Sequence, residues 1–248
     1  MRTLLTGATG RLGSRLAPRL AARVPLRVLV RDPERVAPFW DQGYDVLIGD
    51  LRDIDAVKRA VHGADAVVHL AAVDADTTLR LGEAALEAGV RRFVATGTPV
   101  VCGPGGDGEP ATAVERALLG LHRDGGLGLR IVRLASVYGD GDPLPCVGGP
   151  AHRRVPTVHH ADVARGVRLA LEADGADGRI FNLADDAALT AWELCTLSGR
   201  PMPVAEVPVA DAPVDPWTGL VDTGRIRAEL GFRPLYPTVY SAHAAGAV

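Results

Sequence analysis

Three glycines near the start of this sequence carry its clearest chemistry, in Gly7-Ala8-Thr9-Gly10-Arg11-Leu12-Gly13. At these spacings each glycine has a different job. Gly7 permits a tight turn, Gly10 lets a pyrophosphate approach the backbone, and Gly13 lets the following helix pack closely. The helix that starts here points free N–H groups at the anion. Thr9, Arg11 and Leu12 stand in the same loop and are expected to contact the ligand. The chemistry implied is dinucleotide binding. A second cluster selects the dinucleotide. Val30 is followed by Arg31, with Arg35 one turn on and Arg11 in the glycine loop. An acidic residue after Val30 would hydrogen-bond a free ribose 2′-hydroxyl, whereas converging guanidiniums suit a 2′-phosphate. NADP(H) is therefore the expected cofactor, with Arg31 on its 2′-phosphate. The competing reading gives the ribose to Asp32 and leaves Arg31 a solvated surface charge.

Such residues work only at the ends of strands. Residues 3–5 read as a strand, and 11–22 as a helix with Leu12, Leu16 and Leu20 on one face. Strands at 26–30, 45–48, 66–70, 92–96 and 129–134 alternate with helices at 53–61 and 77–88 and with one after the glycine-rich loop 97–109. This alternation means βαβ units and a parallel sheet covered on both faces. The expected fold class is α/β, a Rossmann doubly wound parallel sheet over residues 1–139. A small C-terminal substrate lobe is expected over 140–248, with the segment 156–185 returning to the core. Within it, 140–156 reads as a loop or lid and 179–183 as a strand. Asp162 is expected to cap a helix running to Glu172. Thr190 starts a short helix, and Thr223 opens a last helix stopped by Gly231. The tail after Ser241 is expected to fray.

Composition narrows the classes of function. With 47% hydrophobic and 23% charged residues over 248 positions, the chain is globular in type. A net charge of −3 offers no basic surplus to nucleic acid. No uncharged apolar run reaches the roughly 18 residues that cross a bilayer. Structure begins at Thr3, so no signal or transit peptide is expected. Cys102, Cys146 and Cys195 are widely spaced and odd in number, which suits a reducing cytosol and excludes a disulfide framework or zinc motif. The expectation is a cytoplasmic monomer or homodimer acting on a small molecule, without metal, nucleic acid or membrane. Lys58 is the single lysine among 27 basic residues, a bias that fits a GC-rich genome and restricts lysine chemistry.

Further segments carry a resemblance. Gly49-Asp50-Leu51-Arg52-Asp53 follows the third strand and His69-Leu70-Ala71-Ala72 closes the fourth. Arg91-Arg92-Phe93-Val94 enters the fifth, and Arg133-Leu134-Ala135-Ser136-Val137-Tyr138-Gly139 ends the sixth. Val158-His159-His160-Ala161-Asp162-Val163-Ala164 opens a later helix, and Leu230-Gly231-Phe232-Arg233-Pro234 stands near the end. With the glycine loop, these segments make most of the chain resemble the extended or atypical short-chain dehydrogenase/reductases, the NAD(P)-dependent epimerase/dehydratase group. The resemblance implies Asp50 and Leu51 at the adenine, and Leu70, Ala71 and Ala72 along the cofactor. It adds Thr96 and Ala135 to the cofactor contacts, the latter in the segment that touches the nicotinamide.

One departure from that family is decisive for mechanism. Its catalytic pair is Tyr-x-x-x-Lys on the helix after strand five, and this chain has none, since Ile54 stands four before Lys58. At the expected place runs 108–115, where Thr112-x-x-Glu115 forms a capping box. Glu115 as a replacement acid is the alternative reading. Thr98 matches the family's Ser/Thr, and its hydroxyl is expected either to polarise a substrate carbonyl or to bond backbone. Cys102 stands where relatives have tyrosine and reads as a small buried residue. Tyr138, facing the expected pocket, and His159 are the candidate proton donors, with His160 behind them. Packing for Tyr138 and bracing for His159 are the competing readings. A substrate with an acidic phenol beside its ketone would need neither. The short connection 73–77 after strand four implies an open cleft. The expected function is NADPH-dependent ketone reduction with Thr98, Tyr138 and His159 at the reacting centre. The substrate class in view is a phenolic aromatic polyketide of angucyclinone type, from an antibiotic pathway. The alternatives are a non-redox isomerase, dehydratase or cyclase on the same fold, or an NADP-sensing regulator.

Overall fold

The computed structural model describes residues 1–97, 112–145, 150–201 and 219–248. Thr98, Cys102, Cys146 and most of the 97–109 loop lie outside them. The chain opens with β1 (Thr3–Thr6), buried at all four positions, and α1 (Arg11–Ala21), which buries Gly13, Leu16, Ala17 and Leu20 on one stripe. β2 (Leu26–Val30), a 3-10 turn (Pro33–Arg35), α2 (Ala37–Asp41) and β3 (Asp45–Ile48) follow. Then come α3 (Ile54–Val61), β4 (Ala66–His69), α4 (Ala75–Glu87), β5 (Arg92–Gly97), α5 (Ala113–Gly125) and β6 (Leu129–Leu134). After these lie β7 (Ser136–Tyr138), β8 (Arg154–Val155), β9 (Thr157–His159), α6 (His160–Glu172) and β10 (Arg179–Leu183). The chain ends with β11 (Leu189–Thr190), α7 (Ala191–Leu197), α8 (Gly224–Leu230) and α9 (Val239–Ala244).

Seven strands form one sheet in the order β3-β2-β1-β4-β5-β6-β10. This is the strand order of the doubly wound Rossmann fold, with β10 added beyond β6. The pairs β1–β2, β1–β4, β2–β3 and β4–β5 are all parallel. Thr6 is level with both Leu29 and His69, Val30 with Ile48, and His69 with Ala95. The carboxyl ends of five strands therefore share one edge. The order reverses there between β1 and β4, where open α/β sheets bind ligands.

The described residues divide into two compact units. The first takes 1–97, 112–132 and 167–180. Its core sets Leu4, Val67, Phe93 and Ile131 of the strands against Val57, Leu81 and Leu118 of α3, α4 and α5. The second takes 133–145, 150–166, 181–201 and 219–248. There β7 pairs parallel with β9, and β8 antiparallel with β11. Tyr138, Leu144, Val155, Leu189, Leu194, Val239 and Ala242 form its core.

Several local expectations are corrected. Asp162 does not cap α6, which begins at His160. Its carboxylate instead accepts the N–H groups of Leu235 (2.5 Å) and Tyr236 (3.0 Å), while His159 Nδ1 accepts the Ala161 N–H at 3.1 Å and takes the capping role. α4 starts two residues early because the Asp74 carboxylate accepts the Thr77 N–H. α8 ends at a left-handed Gly231 as expected but is not the last helix. Thr238 and Ser241 form a reciprocal cap that opens α9 in the stretch expected to fray. No helix among the described residues is long and apolar enough to cross a membrane. Cys195 is buried in α7.

Candidate functional site

The glycine loop turns directly off β1. Gly7 has φ +76°, and a Cβ there would stand 2.6 Å from the Ala71 nitrogen, so both turn and packing demand glycine. A Cβ at Gly13 would lie 2.0 Å from the Gly7 carbonyl oxygen. The third glycine thus seats α1 on the loop itself. Gly10 is the N-cap of α1 and supplies no capping side chain, and no acidic residue occupies the first turn. The first N–H groups of the helix are left for an anion.

These residues line a groove of about 340 Å³. Gly7, Thr9, Gly10, Arg11 and Leu12 form one wall, Arg31, Asp50 and Leu51 a second, and Leu70, Ala71 and Ala72 a third. Every cofactor residue expected from the sequence is here except Thr96 and Ala135. Thr96 lines a neighbouring hollow, where its hydroxyl donates to the His69 carbonyl at 3.2 Å. Ala135 is buried in the second unit, its N–H on the Leu183 carbonyl.

The charges at the end of β2 divide their work. Arg31 is exposed and lines the groove. Asp32 turns its carboxylate onto the Glu34 N–H at 3.0 Å and caps the 3-10 turn. Arg35, expected to converge on the ribose with Arg31, donates instead to the Thr9 carbonyl at 2.6 Å and lines a different hollow. The 3-10 turn carries its side chain back onto the glycine loop. Arg52, not among the residues expected at the cofactor, also lines the groove, its N–H on the Asp50 carboxylate at 2.9 Å. Its place directly after Asp50 and Leu51 was the available signal.

A family model described as NAD(P)H-binding matches residues 7–173. The chain is 30% identical to a dTDP-glucose 4,6-dehydratase of Streptomyces niveus over 94% of this chain and 88% of that protein. The chain belongs to the NAD(P)-dependent epimerase/dehydratase group of the short-chain dehydrogenase/reductases. It is also 31% identical to a (4-alkanoyl-5-oxo-2,5-dihydrofuran-3-yl)methyl phosphate reductase of Streptomyces griseus, over 83% of this chain and 77% of that protein. Among solved structures it matches a dTDP-glucose 4,6-dehydratase from Streptomyces venezuelae with NAD bound. The TM-score is 0.71 at 26% identity, covering 98% of this chain and 97% of the other. These findings make the chain an NAD(P)H-binding protein with an oxidoreductase-type fold.

For a member of that group, the proton donors are placed unexpectedly. Tyr138 lines neither the groove nor the hollow beside it. It is fully buried in the second core, its ring edge-on to His159 at 5.3 Å. Burial, and then the neighbouring Asp185 carboxylate, push its pKa well above the usual phenol range. Asp185, which accepts the Thr157 hydroxyl at 3.0 Å, is itself pushed up to about 7 by burial. His159 is equally committed. Its Nδ1 accepts from Ala161, so Nε2 carries the proton and donates to the Ala247 carbonyl at 3.0 Å. His160 and Tyr236 pack on its ring at 4.3 Å. Both side chains hold structure here. Thr112 and Glu115 form the reciprocal cap of α5: the hydroxyl accepts the Glu115 N–H (3.1 Å) and the carboxylate accepts the Thr112 N–H (3.3 Å).

His69 is the residue the sequence reading passed over. The Thr78 hydroxyl donates to the Asp74 carbonyl at 3.1 Å, so it accepts from His69 Nε2 at 3.3 Å, leaving Nδ1 to accept the Thr6 hydroxyl at 2.7 Å. Burial lowers its pKa to about 4 and keeps the ring neutral. One imidazole thus ties the ends of β1 and β4 to α4, and fixes the start of the 70–73 wall.

Proposed function

We propose that this protein is an NADPH-dependent ketoreductase that reduces a ketone of a small molecule without a Tyr–Lys pair. One observation carries the reading: the groove is lined by all three glycines of the loop and by Arg31, while Tyr138 is buried in packing and His159 is held by hydrogen bonds. Arg31 suits a 2′-phosphate, and Asp32, the competitor for a free ribose, is occupied as a cap. When bound, NADPH supplies the hydride. The glycine loop and Arg31 would hold the dinucleotide in the groove. The alkoxide that forms also needs a proton, which a phenol beside the ketone supplies. Solvent then reprotonates the phenolate, so ketone, NADPH and one proton give alcohol and NADP+. The reductase from Streptomyces griseus supports the reaction class. The substrate class, a phenolic aromatic polyketide, rests on the proton argument.

The test is to follow NADPH absorbance with phenolic ketones and their O-methylated analogues. Turnover of the phenols, with a loss of at least tenfold on methylation, is expected. Equal rates would return the proton to a protein group. Tight NADPH binding without oxidation by any ketone would favour a non-redox role, in line with the dehydratase from Streptomyces niveus.

A further inference from the structure

The glycine loop follows β1, Arg31 follows β2 and residues 49–52 follow β3, and these three strands are neighbours in the sheet. One half of a dinucleotide has the same linear order: pyrophosphate, then ribose, then base. With the pyrophosphate on the loop and the ribose beside Arg31, the base falls at the end of β3. Gly49, Leu51 and Arg52 line the groove there. The Gly49 N–H donates to the Val30 carbonyl at 3.0 Å, which keeps this turn beside the end of β2.

A flat base placed there meets two kinds of surface. The inner one is apolar, formed by the buried Leu29 and Leu51. The outer one is Arg52. Its side chain is 63% exposed, and its carboxylate partner, Asp50, stands 4.0 Å away. That is the outer limit of an ion pair, so no bidentate fork fixes the guanidinium plane. Asp74, at the start of α4, is held below the usual carboxylate range first by the Thr77 N–H, and the Arg52 charge adds to that effect. Arg52 thus acts on carboxylates from both the β3 end and the β4–α4 connection. A guanidinium of this freedom stacks on the π face of a ring, and nucleic-acid bases are held by arginine in this way. A lysine would bring the charge without the plane.

We propose that Arg52 is an adenine-binding residue, its guanidinium closing over the outer face of the base with Leu51 on the inner side. The inference deepens the reading of the groove as a dinucleotide site and rests on that reading alone; neither ketone reduction nor the 2′-phosphate enters it. Arg52 serves the part of the cofactor that NAD and NADP share, and Arg31 the part in which they differ.

The test is calorimetric titration of the full chain with NAD+ and with nicotinamide cytosine dinucleotide, which has the same phosphates, riboses and nicotinamide but a smaller base. The native protein is expected to bind NAD+ the tighter of the two. Arg52→Ala should shrink that preference about fivefold, the scale of a cation–π contact at a partly exposed site, and leave the ratio of NADP+ to NAD+ affinity unchanged. Arg52→Lys should stay nearer to the alanine variant than to the native protein. The melting temperature should not move in either variant, because the side chain is exposed and its ion pair is long. An equal loss for both dinucleotides would make Arg52 a phosphate contact, and a selective loss of NADP+ would move it to the 2′-phosphate. Either result overturns the proposal, as does full recovery of the preference with lysine, and all three leave the dinucleotide reading standing. Native protein that binds neither NAD+ nor NADP+ would overturn both.

Discussion

The Nε2–H of His159 donates to the carbonyl of Ala247, 3.0 Å away and 88 residues on. With Nδ1 holding the Ala161 N–H, the ring starts α6 and anchors the chain beyond α9 at once. His159→Ala should therefore destabilise the second unit by about 1–3 kcal/mol, the cost of leaving buried partners unsatisfied. Removing 245–248 should reproduce part of that loss. Chemical denaturation reads both. A variant with unchanged stability and a collapsed kcat would instead make His159 a catalytic acid.

His69 and Asp185 lead to opposite pH dependences, one in each unit. His69 has a folded pKa of about 4, below its unfolded value of about 6.5. The stability gained by keeping it neutral is complete above pH 6.5 and is lost as pH falls toward 4. Asp185 has a folded pKa of about 7, above the unfolded value near 3.9. Here the folded state favours the protonated acid, so its penalty grows as pH rises from about 4 to about 7. Asp185→Asn should remove that upper penalty and make the variant relatively more stable at pH 8 than at pH 5. Urea titrations of both proteins across this range check it, and parallel pH profiles would refute it.

Gly13 tests how closely the loop and α1 are matched. Gly13→Ala would push a methyl group to 2.0 Å from the Gly7 carbonyl oxygen, where only backbone movement relieves the clash. The loop and the helix N-terminus then separate. Stability should fall by about 1–3 kcal/mol, typical of overpacking, and NADPH affinity by more than tenfold. Calorimetric titration alongside thermal melting measures the two losses. A variant with native affinity would show that the anion site tolerates a displaced helix.

The parts legible in the sequence are those that depend on neighbours along the chain. The glycine spacing, the strand ends at Val30 and Ile48, the Thr112–Glu115 cap and the helix start at Thr190 all follow from local periodicity and capping chemistry. What was misplaced depends on distant partners. Tyr138 points into a core because β7 pairs with β9, some twenty residues on. Asp162 serves Leu235 and Tyr236 rather than its own helix. The role of His69 needs Thr6, 63 residues earlier. None of these pairings leaves a periodic trace in composition or spacing.

Arg31 and Arg35 stand four residues apart and should fail in different ways. Arg31 lines the groove where a 2′-phosphate would lie, so Arg31→Ala should weaken NADPH by about 1.5–3 kcal/mol, the scale of a charged hydrogen bond, and leave NADH nearly untouched. Arg35 holds the Thr9 carbonyl at 2.6 Å and so shapes the loop that receives the pyrophosphate shared by both dinucleotides. Arg35→Ala should therefore weaken NADPH and NADH by similar factors, with little change in their ratio. The four dissociation constants, measured at one fixed ionic strength because phosphate contacts are salt-sensitive, separate the roles. A selective loss of NADPH in Arg35→Ala would mean that its guanidinium leaves Thr9 for the phosphate. Tighter binding of NADH than NADPH by the native protein would remove the 2′-phosphate assignment from Arg31 as well.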